Sequence, residues 1–131
     1  MTKGNSMVTT TDVFSGMSTN DISAAITFYR DTLGFEVVES NNGLEVHAGS
    51  HAVFVYPKPN HEPASYTALY LDVPDIDVAV DELTAKGVTF ERYEGMHQDD
   101  KGIARGKSAG QGPDIAWFLD PAGNILAVLN G

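Results

Sequence analysis

Apolar positions along this chain switch between two spacings, and the switches divide it into elements. Val13 to Ser18 reads as a short strand. Thr19-Asn20-Asp21 then opens a helix in which Ile22, Ala25, Ile26, Tyr29 and Leu33 recur at helical spacing, and Gly34 supplies the stop. Glu36–Ser40, Leu44–Ala48 and Ala52–Tyr56 follow as three strands, with Asn41-Asn42-Gly43 and Gly49-Ser50 as the turns. A proline-spaced polar linker covers residues 57–65, and then the pattern restarts. Tyr66–Val73 is a strand with Leu69, Leu71 and Val73 on one face. Pro74-Asp75 opens a helix carrying Ile76, Ala79, Val80 and Leu83 that stops at Gly87, and Val88–Tyr93 is a further strand.

The stretch from Trp117 to Leu129 completes the second round as two apolar strands around Asp120-Pro121-Ala122-Gly123-Asn124. Asp120 suits a turn whose side chain bonds its own backbone, Pro121 pre-sets φ, and Gly123 suits the left-handed position of a bulged hairpin. In that turn Asp120 faces Asn124, and Trp117 lies opposite Ala127.

Composition narrows the class. With 42% hydrophobic and 20% charged residues, the 131-residue chain is ordinary for one globular domain. We expect a tail over residues 1–11 and a domain over 12–131, with module one at 12–58 and module two at 66–130. Eight Lys+Arg against 18 Asp+Glu give a net charge of -10, which argues against a nucleic-acid partner. The chain has no cysteine, a polar stretch from Met1 to Thr11 and no apolar run of membrane-spanning length, so the expectation is a cytoplasmic protein without membrane contact.

The order strand, helix, three strands thus occurs twice. Asp21-Ile22 maps onto Asp75-Ile76 at an offset of 54, Gly34-Phe35 resembles Gly87-Val88, and Ala48-Gly49-Ser50 resembles Ala122-Gly123-Asn124. Together with Phe28-Tyr29, Leu33-Gly34-Phe35 and Phe118-Leu119-Asp120-Pro121-Ala122-Gly123-Asn124, these residues resemble the vicinal oxygen chelate superfamily, which includes glyoxalase I, extradiol dioxygenases and fosfomycin- and bleomycin-resistance proteins. The resemblance covers roughly residues 12–130. It implies an α+β fold of two βαβββ modules whose mixed sheets curl into a cup with helices outside, and it implies a homodimer.

Metal-dependent members of that superfamily hold a divalent ion through His, Gln or Glu on the first and last strand of each module. Counted from the helix-starting aspartates and the turn glycines, the corresponding positions are Phe14, Ala68, Val53 and Ala127, none of which has a lone pair to offer a metal. The expectation is therefore a protein with no metal cofactor.

Strand alternation places Gly16, Tyr70, His51, Val55 and Trp117 on the cup face with those four, and Glu45 and His47 there from the neighbouring strand. Apolar walls with few polar groups are what small-molecule pockets look like, and aromatic rings stack on planar or cationic ligands. Phe14, His47, His51, Tyr70, Trp117 and Ala127 are thus the candidate ligand-binding residues. The expected function is metal-independent binding of an apolar or aromatic small molecule. The alternatives are a lyase or dioxygenase with a displaced metal site at Glu45, His47 and His51, or a metal-free enzyme using His51 or Tyr70 as acid or base. His61 and His97 read as surface residues. The glycine-rich segment from Gly95 to Pro113 reads as a surface loop or as a lid that brings Met96, His97 or Arg105 to a ligand.

Overall fold

The computed structural model describes residues 8–131. Most of the expected tail therefore lies outside the described residues, and residues 8–12 are exposed and without helix or strand. The fold is α+β and consists of two βαβββ modules. Module one comprises β1 (Ser15–Thr19), α1 (Ile22–Thr27, continued by a π-helical turn over Phe28–Thr32), β2 (Glu36–Ser40), β3 (Gly43–Ala48) and β4 (His51–Pro57). Module two comprises β5 (Thr67–Asp72), α2 (Ile76–Ala85), β6 (Ala104–Arg105), β7 (Asp114–Leu119) and β8 (Ile125–Asn130). Each module folds into a four-stranded mixed sheet, in the orders β1-β4-β3-β2 and β5-β8-β7-β6, with the first strand parallel to the last.

The repeated aspartates do what their position requires. Asp21 accepts a hydrogen bond from the Ala24 amide at 3.0 Å and Asp75 from Val78 at 3.2 Å, each satisfying an amide that the first helical turn leaves unpaired. Gly34 and Gly87 end the helices with φ of 77° and 94°, a region in which a Cβ would be strained. In α1 the last turn widens, and the Leu33 amide donates to the Phe28 carbonyl. Phe28 and Tyr29 then both reach module two. Phe28 packs against Phe118, and the Tyr29 hydroxyl donates to Asp120 at 2.7 Å.

One core joins the modules: Met17, Tyr29, Leu44, Val46, Val53 and Val55 from the first, and Val80, Ile103, Phe118, Leu126 and Val128 from the second. The strands contribute to it from one face only, as alternation demands. The two sheets stay separate, since no strand of one pairs with a strand of the other among the described residues. β1 and β5 are therefore both free edges.

The strand expected over Val88–Tyr93 is reduced to a single bridge between Phe90 and Phe118. The Gln98 side chain takes over the backbone groups that a neighbouring strand would bond. Its amide donates to the Glu91 and Gly102 carbonyls at 2.9 and 2.7 Å, and its carbonyl accepts from the Tyr93 amide at 2.9 Å. Only Ala104 and Arg105 remain as a short outer strand.

Candidate functional site

In module two the expected register of Trp117 on Ala127 holds. Tyr70, Ala127 and Trp117 form one cross-strand row, and Asp120 pairs with Asn124 across a turn in which Gly123 has φ of 85°. The Tyr93 ring meets Trp117 edge-on at 5.4 Å. Tyr70 is 59% exposed while Ala127 is fully buried, so a molecule on this face meets Tyr70 and Trp117 rather than Ala127. The expected position Ala68 departs from this row. A bulge between Thr67 and Leu69 adds a residue to β5, and Ala68 packs against the core.

In module one the expected faces must be corrected. Val53, Val55 and His51 pair with Val46, Leu44 and Ala48, and all six belong to the helix-facing side. Val53 and Val55 are 1% and 0% exposed. The cup face instead carries the row Gly16, Phe54, Glu45 and Val38, with Ala52, Tyr56 and His47 beside it. The cause is the turn. Module one joins Ala48 to His51 through two residues, whereas module two spans five between Leu119 and Ile125. Counting from the turn glycine therefore lands on opposite faces. At the offset of 54, Gly16 corresponds to Tyr70, so Phe54 is the true counterpart of Ala127. Phe54 stacks on Tyr56 at 6.0 Å, and Phe14, just before β1, is 60% exposed.

The polar candidates separate. Glu45 and His47 approach to 3.3 Å on the cup face. His51 lies on the other face, where its ring bonds the Ser15 hydroxyl at 3.0 Å. Glu45, His47 and His51 therefore do not converge, and no cluster of three or more His, Asp or Glu suited to a metal occurs among the described residues. His61 is not a free surface residue. Its Nε2–H donates to the Ala122 carbonyl at 3.0 Å, which leaves Nδ1 to accept from the Ser18 hydroxyl at 2.5 Å. The linker is thereby clasped to both modules. Only the proline spacing marked that segment as special, and nothing in it pointed to Ser18.

The Gly95–Pro113 segment is pinned away from a lid role. Arg105 forms a fork with Asp77 of α2 at 2.8 and 3.0 Å and also bonds Asp99 at 2.9 Å, while Lys101 bonds Asp77 and Asp81. The hydrogen bonds from Arg105 and then Lys101 hold the Asp77 carboxyl at about 2. Arg105 therefore serves α2 rather than the cup. Buried Tyr29 has its phenol pushed far above the usual value by burial first and by the Asp120 charge second.

With the two modules, their sheet order and the aromatic inner faces established, the class is clear. Residues 10–128 match the sequence model of the Glyoxalase/Bleomycin resistance protein/Dioxygenase superfamily, and the chain belongs to that family. Solved structures agree on the fold. A superfamily member from Sphaerobacter thermophilus DSM 20745 is similar at 26% identity and TM-score 0.64, over 92% of this chain and 98% of that one. TnmS3, an antibiotic binding protein from Streptomyces sp. CB03234, is similar at 20% identity and TM-score 0.63, over 94% and 98%. The genomically encoded fosfomycin resistance protein FosX from Listeria monocytogenes is similar at 10% identity and TM-score 0.68, over 95% of both chains. No curated protein sequence matches the chain.

Proposed function

We propose that this protein binds an apolar or aromatic small molecule on its cup faces without a metal ion, and that two copies associate so that the inner face of one module meets that of another. The observation that carries this reading is the pair of aromatic surfaces turned away from the core: Tyr70, Trp117 and Tyr93 on one sheet, Phe54 and Tyr56 on the other. Half-exposed rings of this kind supply rigid contact area for a flat ligand. The free edges β1 and β5 support association, because an unpaired edge offers a row of backbone donors and acceptors. Phe14, Phe54 and Ala127 offer no metal donor, and the similar fold of an antibiotic binding protein supports a binding role. Among the described residues no helix is long and apolar enough to cross a membrane, and the absence of cysteine supports a cytoplasmic location.

A panel of flat aromatic compounds titrated against the fluorescence of Trp117, the single tryptophan, tests the reading. We expect saturable quenching that Phe54→Ala weakens, in a protein that sediments as a dimer. Absence of quenching by every compound, or a stoichiometric metal in the purified protein that His47→Ala removes, overturns it.

A further inference from the structure

A pocket of about 830 Å³ opens at the seam between the modules, along the free-edge strand β5 from Leu69 to Val73. Leu33 and Phe35 wall it from the end of α1, and Leu69 and Leu71 from β5, with Leu83 of α2 beside them. These five are packed against the core on one side and only partly buried, so the rest of each side chain borders the pocket as apolar surface. The volume falls in the range of small-molecule sites, and the walls come from rigid elements of both modules.

The charges at the mouth differ in how they are used. The Lys86 ammonium donates to the Thr32 carbonyl at 3.2 Å, and the His51 ring is held by Ser15. The Asp72 and Glu82 carboxylates, both exposed, make no hydrogen bond or ion pair among the described residues. The mouth thus offers two unpaired negative groups above an apolar interior, on a chain whose net charge is -10.

We propose that this seam pocket is a second ligand site, distinct from the cup, for a small molecule with an apolar or aromatic body and a protonated amine. The body fills the space between β5 and α2, and the ammonium pairs with Asp72 and Glu82. β5 is then a shared wall: Leu69 and Leu71 face the seam, while Tyr70 and Asp72 alternate to its other face and border the pocket at the strand's free edge.

Three naphthalene probes of similar size test it: 2-(1-naphthyl)ethylamine, 2-(1-naphthyl)ethanol and 1-naphthaleneacetate. Binding is followed by NMR on the whole protein, with contacts from the naphthyl protons to the protein methyls. We expect the amine to bind at least about tenfold more tightly than the acetate, with contacts to the Leu71 and Leu83 methyls. Ala79→Trp, which fills the pocket from α2, should lose about tenfold in affinity or more, and Phe54→Ala should change it by less than about twofold. The exposed pair Asp72→Asn and Glu82→Gln, which fills nothing and removes no core contact, should bring amine and acetate within about twofold of each other. Equal affinity for amine and acetate in the unmodified protein overturns the charge assignment. Contacts to the Trp117 indole instead of Leu71, with loss on Phe54→Ala alone, place the probe in the cup and overturn the second site while leaving the proposed function intact. The same holds if no probe binds and Ala79→Trp changes the sedimentation of the protein, because another copy of the chain then covers the pocket.

Discussion

Module one turns its last hairpin with Gly49-Ser50, and module two turns the corresponding hairpin with Asp120-Pro121-Ala122-Gly123-Asn124. The short turn does only local work, since its residues are exposed and reach nothing across the molecule. The long turn is 5% exposed at both Asp120 and Asn124 and is the place where the halves are fastened together. Asp120 accepts from the amides of Ala122 and Asn124, from the Asn124 side chain and from Tyr29 of module one, while Asn124 also donates to the Ser18 carbonyl at 3.0 Å. His61 and Pro63 of the linker complete the clasp, with His61 bonded to Ala122 and Pro63 lying against Gly123. Two segments that look like versions of one turn thus have unequal roles, and the difference is a carboxylate and a carboxamide that can reach sideways.

That inequality can be broken at its strongest point. Asp120→Ala leaves the buried Tyr29 hydroxyl and the turn amides without an acceptor, at about 1–3 kcal/mol for each unsatisfied group. We expect a total loss of about 3–5 kcal/mol in urea unfolding, most of it absent from Ser50→Ala in the other turn. A loss below about 1 kcal/mol contradicts the fastening role.

A subtler contrast compares the turn glycines. Gly49 has φ of 60° with open space where a Cβ would go, whereas at Gly123, with φ of 85°, a Cβ comes within 3.1 Å of Pro63 Cγ. Gly49→Ala should cost about 1 kcal/mol from the left-handed backbone alone, and Gly123→Ala measurably more. Equal melting-temperature shifts show that the linker yields freely.

The smallest effect concerns the pinned segment that only module two has. Asp77 has its carboxyl at about 2 against an ordinary 3.8, so its pairing with Arg105 and Lys101 is fully present above pH 3.8. It is lost as pH falls through about 2, when the carboxylate takes up its proton. Proteolysis of the Gly95–Pro113 segment by pepsin should therefore accelerate between those values, and Asp77→Asn should show the fast rate already at the upper end. An unchanged profile in the variant assigns the pinning to the other carboxylates on Arg105 and Lys101, namely Asp99, Asp114 and Asp81.

The strength of each local signal explains what was legible beforehand. Helix starts at Asp21 and Asp75, stops at Gly34 and Gly87 and the register of Trp117 on Ala127 depend on residues close in sequence, and all are present in the structure. The cup residues of module one were misassigned because two turns of different length share a glycine, and a one-residue difference in parity exchanges the faces of a strand. Phe54 was missed for that reason. The strand expected over Val88–Tyr93 has the right residues, but it meets β7 only at the Phe90–Phe118 bridge and bonds the side chain of Gln98 on its other side, a choice that alternation does not encode. His61 and Arg105 acquire their roles from partners 43 and 28 residues away, which no local pattern reports.

The clasp at Asp120 also bears on how such a chain can change over time. A protein made by joining two copies of one half begins with interchangeable parts, and either half could be lost, copied or shuffled. Here the second half holds the first through a side chain that the first does not possess. Two copies of module one, joined end to end, would have both sheets and both helices but neither Asp120 nor Asn124 to bind Tyr29 and Ser18. The halves of this molecule have stopped being spares for one another.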